Sequence, residues 1–332
     1  MKHILLLLCA LTGALSSRAQ CANGDFESGG FGLWTAYVNT TPATGVIDPL
    51  GYMVVPGSPR HNITTATTPD PIVGSAIMGA ASGTFGAKLG DGLGGSQSEI
   101  LSYTFTLTPD FAFKFAMVLN NGHPAPADNA YFTYWISLSS SLATSTTGGN
   151  LLAVEEYRPD PTNPFYLLSP SGSALYRPWY KECVLTKFPS LSAYIGSVVT
   201  IYFATSDCPY GGHFGYAYID DLCNVIPPAP SFTSPSSIGA FPPASHPLMV
   251  NGTASVNVQD HYYTVEECDA SGTLIPGGAS ASTAMILGSP GIIDLRAMLP
   301  SGFFAFTTYY KITLHAVDCN ITYRASRLLY VN

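Results

Sequence analysis

The chain has 332 residues, too many for one small β domain and enough for two. Charged residues are only 10% of it and the formal net charge is −8, which argues against a nucleic-acid binder, because that needs a basic surface. Glycine, proline, serine, threonine and tyrosine abound, a composition that disfavours helices and suits short strands joined by tight turns.

The chain opens on "MKHILLLLCALTGALSSRAQ". Lys2, the apolar run from Ile4 to Leu11, and the small residues Ser17 and Ala19 make residues 1–19 a secretory signal peptide cleaved after Ala19. The run is shorter than the roughly 20 residues of a membrane span. Gln20 ahead of Cys21 argues against a lipoprotein signal. No later stretch is long and apolar enough to cross a bilayer, so the expected location is secreted, extracellular or at a cell surface. Without the leader, Lys plus Arg falls from 13 to 11 against 21 acids.

Seven cysteines are present, and Cys9 leaves with the leader. An even set in an oxidising compartment reads as disulfides, and six cysteines allow 15 pairings. Position along the chain suggests Cys21 with Cys223, Cys183 with Cys208, and Cys268 with Cys319. No C-x-x-C occurs to favour zinc.

Residues 20–226 carry a series of alternating segments. "LSYTFTL" (101–107) puts Tyr103, Phe105 and Leu107 on one face, and "FAFKFAMVL" (111–119) does the same with Phe111, Phe113, Phe115 and Met117. In "YFTYWISL" (131–138), Phe132, Tyr134, Ile136 and Leu138 share one face, with Tyr131 and Trp135 on the other. "SVVTIYF" (197–203) and "FGYAYIDDLC" (214–223) follow, and "GDGLGG", "NNGHPAPADN", "TTGGN" and "PYGG" supply the turns. These strands predict an all-β antiparallel sandwich, a jelly roll. A proline-rich linker over 227–247 follows, because proline lacks the donor a ladder needs. Residues 248–332, with "HYYTVEECD", "YYKITLHAVDC" and "SRLLYVN", predict a smaller immunoglobulin-like or fibronectin-like sandwich.

Catalytic patterns are thin. There is no G-x-S-x-G and no H-E-x-x-H. Glu155 and Glu156 are neighbours on a strand and point to opposite faces, so they cannot flank one glycosidic bond. "GDGLGG" (90–95) matches G-x-G-x-x-G, but a strand follows where a phosphate cradle needs a helix. His123 and His213 sit in glycine turns, near Asp207 for the latter, and are expected to bond backbone carbonyls rather than a metal. Exposed aromatic rings suit sugar faces. Trp135 and Tyr131 stand opposite their strand's apolar face and are the preferred ligand-facing residues, with Trp34 and Trp179 as further candidates.

At the ends of the first domain the pattern sharpens. "NGDFESGGFGLW" (23–34) and "YIDDLC" (218–223) resemble the calcium-containing jelly rolls of xylanase-associated carbohydrate-binding modules and the wider galactose-binding-like class. Those begin on N-x-x-F-E leading to a Trp and finish on an I-D-D strand. The segments between are similar to modules in large secreted proteins of gliding, surface-adhering bacteria, found beside immunoglobulin-like or PKD-type repeats. The resemblance implies that the first and last strands lie side by side, with Cys21–Cys223 stapling them. It also implies a structural Ca2+ held by Glu27 and Asp220, with Asp25 or a nearby carbonyl completing the shell; strand alternation puts Asp220 and Asp221 on opposite faces, with Asp220 expected inward.

Together these readings predict a secreted, non-catalytic binding or adhesion module whose partner is a glycan or a cell-surface or matrix component. The alternative is a structural spacer or assembly protein without a sugar site. A hydrolase built on the sandwich ranks third.

Overall fold

A computed structural model describes residues 21–40, 52–57, 59–138, 151–223, 230–234, 240–241, 247–254, 260–305, 307–319 and 321–331. The expected signal peptide and most of the expected proline-rich linker lie outside them. The chain divides into two compact units, residues 1–225 and 226–332.

Described strands of the first unit are β1 (Thr35–Thr40), β2 (Tyr52–Val54), β3 (His61–Thr65), β4 (Pro69–Asp70), β5 (Gly74–Met78), β6 (Phe85–Leu89), β7 (Gln97–Thr106), β8 (Ala112–Asn120), β9 (Tyr131–Leu138), β10 (Leu151–Tyr157), β11 (Leu167–Leu168), β12 (Ala174–Cys183), β13 (Val198–Ser206) and β14 (Gly215–Asp220). They form one sheet in the order β10-β9-β13-β7-β1-β2 and a second in the order β11-β12-β8-β14-β6-β3, with β4 and β5 as a separate hairpin. The result is an all-β sandwich.

Period-two alternation explains its core. Tyr103 and Phe105 of β7, Phe132, Tyr134 and Ile136 of β9, and Ile201 and Phe203 of β13 meet Phe113, Phe115 and Met117 of β8 in one buried cluster. The Phe113 ring crosses between the sheets, 4.8 Å from Phe203 and 5.0 Å from Tyr134 in edge-to-face contacts. Both outer faces are covered too. Tyr131, Trp135, Tyr202 and Ile100 make a second cluster behind the first sheet, while Val73 and Ile77 cover Tyr216 and Tyr218 behind the second.

The chain ends meet, but not as paired strands. β1 sits between β7 and β2, whereas β14 sits between β8 and β6 in the opposite sheet. Cys21 and Cys223 are disulfide-bonded, with Cα atoms 5.6 Å apart, and the Leu222 amide donates to the Gly24 carbonyl. A Cβ on Gly24 would collide with the Leu222 carbonyl, so only glycine allows this approach.

The other two expected pairings do not form, because Cys208 and Cys268 carry free, buried thiols. Strand length is the reason. Cys183 lies opposite Ala112 at one end of β8, whereas Cys208 bonds His213 beyond the Asn120 end. Eight residues of strand separate those ends, roughly 25 Å, far beyond disulfide reach.

The second unit contains β15 (Pro230–Ser234), β16 (Ala240–Phe241), β17 (Met249–Ala254), β18 (Asp260–Cys268), β19 (Ser280–Ser282), β20 (Ile286–Leu287), β21 (Ile292–Asp294), β22 (Thr308–Asp318) and β23 (Ile321–Val331). Here β15-β17-β21 form one sheet and β16-β23-β22-β18-β19 another, around Tyr263, Val265, Tyr310, Ile312 and Leu314. Cys268 pairs with Tyr309 at the start of β22, and Cys319 follows its last residue. They too are a strand's length apart.

The Cys21–Cys223 bond spans 202 positions. Loop-closure entropy gives it a stabilisation of about 5 kcal/mol. Replacing both cysteines by serine is expected to lower the first unit's free energy of unfolding, read from urea denaturation, by an amount approaching that figure, and the urea midpoint with it. An unchanged midpoint would show that the other contacts at the ends suffice.

Candidate functional site

Asn23 is the hub of the opening segment. Its side chain donates to the carbonyls of Gly30 and Gly32 and accepts from Ser28 N–H, while its own carbonyl receives the Trp34 indole N–H at 3.0 Å. Glu27, exposed, accepts from the amides of Thr84 and Phe85 at 2.7 and 2.9 Å. Asp220 is fully buried and accepts from the amides of Ala81, Ser82 and Asp221. Asp25 accepts from the Glu27 amide at 3.3 Å. Asp221 does not face outward: its φ of 54° breaks the strand alternation, and its carboxylate is buried against Lys114 at 2.7 Å and Ser82.

A Ca2+ shell wants six to eight oxygens aimed at one point. The carboxylates of Asp25, Glu27 and Asp220 do not come together as a ligand group, and each is spent on N–H donors. As placed, the three carboxylates are held apart by these N–H donors.

The four aromatic candidates are packed away. Trp135 is wholly buried and stacks on Tyr202 at 4.9 Å, because the outer face of its sheet is itself covered. Trp34 is a core residue stacked on Phe26 at 4.7 Å. Trp179 is half-buried and donates its indole N–H to the Met78 carbonyl, pinning the end of β5. Tyr131 is buried beneath the Arg158 guanidinium, 4.3 Å from its ring centre.

A cleft of about 920 Å³ lies instead where the chain leaves β10, and Glu155, Glu156, Asp160, Asn163, Phe165 and Tyr180 are among its lining residues. Sequence reading dismissed Glu155 and Glu156 as a pair and passed over "EEYRPDPTNPFY" (155–166), whose density of acids, prolines and aromatic rings was the available signal. Both acids line this cleft, each with its own cation: Glu155 pairs with Lys187 at 2.9 Å and Glu156 with Arg158 at 2.6 Å. Arg158 also donates to the carbonyls of Pro126, Ala127 and Asn129, joining one rim to the other. β12 bulges between Arg177 and Tyr180, where Pro178 cannot donate to the ladder, and the bulge sets Tyr180 at the cleft against Phe165. Within the lining, Lys187 donates to the Tyr157 hydroxyl, which donates in turn to Glu182 behind it. Burial holds the Glu182 carboxyl above the usual carboxylate range, and Lys187 offsets part of that.

Past one rim, His123 and His213 face each other, with Nδ1 of His213 2.9 Å from Nε2 of His123. Neither bonds a backbone carbonyl as expected from sequence; the partner of each is the other ring, and buried Cys208 lies beside them. Asp207 is not part of this group, since its oxygens accept the amides of Gln97 and Gly215.

No family model and no curated protein matches the chain. Solved structures similar to it include the carbohydrate-binding module TmCBM61 in complex with β-1,4-galactotriose, at 15% identity over 62% of this chain and 96% of that one, with a TM-score of 0.30. The adhesin domain of Epf from Streptococcus pyogenes matches at 8% identity over 93% of this chain and 95% of that one, with a TM-score of 0.22. The glycoside hydrolase domain of Endo-D from Streptococcus pneumoniae matches at 13% over 74% of this chain and 33% of that one, with a TM-score of 0.20. At these scores the likenesses carry no argument about ligand or activity.

Two outcomes follow from the buried charges. Adding calcium chloride to protein stripped by chelator is expected to leave the first unit's melting midpoint unchanged; a rise of several degrees would mean that the carboxylates regroup around the ion. The second outcome concerns pH. Burial pushes Glu99 up to about 7 against the pull of Arg60, and Asp207 and Asp91 add to the rise. Burial and Asp221 push Asp220 up to about 7. Both groups hold protons in the folded state well above the pH where an unfolded carboxylate releases them, so stability falls as pH rises toward 7. His61, lowered by burial to about 4, and His213 and His315, also lowered by burial, act in the opposite direction, an effect that fades as pH rises past their ordinary value of 6.5. Between pH 6.5 and 8 the melting midpoint is therefore expected to drop, with a shallower drop in Glu99→Gln. A midpoint that rises across this window would refute the assignment.

Proposed function

We propose that the first unit is a non-catalytic carbohydrate-binding module of an exported surface or matrix protein, and that the cleft beside residues 155–166 takes a neutral glycan. The observation that carries this reading is the lining: rings of Phe165 and Tyr180 next to Glu155, Glu156, Asp160 and Asn163 in an open cleft of about 920 Å³. Sugar C–H faces pack on aromatic rings, and sugar hydroxyls donate to carboxylate and amide oxygens. The volume is within the usual range for small-ligand sites and accommodates a few sugar rings. Glu155 and Glu156 are each paired with a cation, which supports hydrogen-bonding roles over acid–base chemistry. Export is supported by the Cys21–Cys223 bond and by the opening apolar run.

A glycan array tests the reading. Saturable binding to a neutral oligosaccharide is expected, and it should weaken about tenfold or more in Glu156→Gln and Phe165→Leu, whose melting midpoints stay near the parent's. Silence across a broad array would favour the spacer alternative. Turnover of a bound glycan, abolished in Glu155→Gln, would favour the hydrolase.

A further inference from the structure

We infer that His123, Cys208 and His213 form a binding site for a single zinc-class transition-metal ion. The inference stands on geometry independent of the glycan reading. One nitrogen from each imidazole and the Cys208 sulfur lie within 4.8 Å of one another. The rings are set edge-on, 88° apart with centres at 4.5 Å, so their nitrogens converge instead of stacking past each other.

Two loops bring the donors together, and both are anchored. Cys208 and His213 are the feet of one tight turn: the Cys208 amide donates to the His213 carbonyl, and Gly211 donates back to Cys208. His123 comes from the loop after β8, 90 positions from His213. Buried Asn129 clamps that loop, accepting from the amides of Gly122 and His123 and donating to the His123 carbonyl. Gly122 leaves room for the His213 ring, which any Cβ there would strike. The Tyr210 ring packs on His123 at 5.1 Å.

Donor chemistry selects the ion. Two imidazole nitrogens and a thiolate suit Zn2+ and its borderline-soft relatives and are poor ligands for Ca2+ or Mg2+. Tetrahedral Zn2+ at ordinary bond lengths sets its ligand atoms about 3.3–3.6 Å apart. The two ring nitrogens, now 2.9 Å apart, need to separate by a few tenths of an ångström. On binding, the Cys208 thiol releases its proton to solvent. Each neutral imidazole keeps its single N–H on the nitrogen that does not coordinate. Three protein ligands leave the fourth position of a tetrahedral ion to water or another small ligand.

Cobalt(II) titration of the untagged full chain, with Cys208 first shown by alkylation to be a free thiol, tests this directly. We expect one Co2+ per chain, a near-ultraviolet sulfur-to-cobalt charge-transfer band, tetrahedral d–d bands, and displacement by Zn2+. The band should vanish in Cys208→Ser and persist in Cys268→Ser. Affinity should fall roughly tenfold or more in His123→Gln and in His213→Gln. Absence of the band in the parent, or equal binding by Cys208→Ser, overturns the site. Because the readout is the metal's own spectrum, the result does not depend on whether the cleft binds a glycan.

Discussion

The sandwich depends on a clasp at its chain ends that is made almost entirely of irregular backbone. Residues 21–34 contain turns, not a strand, and Asn23, Phe26 and Leu33 take left-handed φ values, as do Asp221 and Cys223 opposite them. Each such conformation costs a non-glycine residue on the order of 1–2 kcal/mol. What holds them there is a disulfide, the fan of hydrogen bonds around Asn23, and the burial of Phe26 and Trp34 as a plug in the core. Asn23 tolerates its conformation better than most residues, and it is also the one whose side chain ties the loop together.

This clasp gives the first unit a polarity. Cys223 bonds the Ala112 end of β8, whereas the turn bearing His213 lies at the Asn120 end. The cleft runs beside sheet edges: β10 is the last strand of one sheet, β11 and β12 end the other, and residues 158–166 cross between them. Edge strands otherwise expose unpaired backbone. Here Arg158 draws the crossing loop against the turn after β8, so the same segment covers an edge and builds a wall. The cleft is thus placed on loops braced by the sheets, which is where binding surfaces ordinarily arise.

Alternation made the core legible. Phe113, Phe115, Tyr134 and Phe203 meet inside because the side-chain period of two leaves little freedom once one face is apolar. The same rule misled at Trp135 and Tyr131. It tells which residues share a face, not whether that face meets solvent, and the outer face carries a cluster of its own. Cysteine pairing was beyond sequence reading for Cys183 and Cys268, because nearness along the chain becomes a strand's length of distance in a sheet. The His123–His213 contact was equally hidden, since turns far apart in sequence meet only through strand order.

The acidity of the chain also reads differently in space. Asp70, Glu99, Glu182, Asp207, Asp220 and Asp221 of the first unit are buried. Asp70 takes the hydroxyls of Tyr216 and Tyr218, Glu99 takes Arg60, and Asp221 takes Lys114. Asp207 and Asp220 take backbone amides. A buried carboxylate left without such partners would cost several kcal/mol, so these acids act as internal wiring that fixes loops to strands. Much of the formal −8 is therefore not on display to a ligand. At the cleft, Glu155 and Glu156 already face Lys187 and Arg158. On the proposed reading of the cleft, with these two acids already paired, selectivity rests on the direction of hydrogen bonds and the shape of the rings, the terms on which an uncharged polyhydroxylated ligand is discriminated.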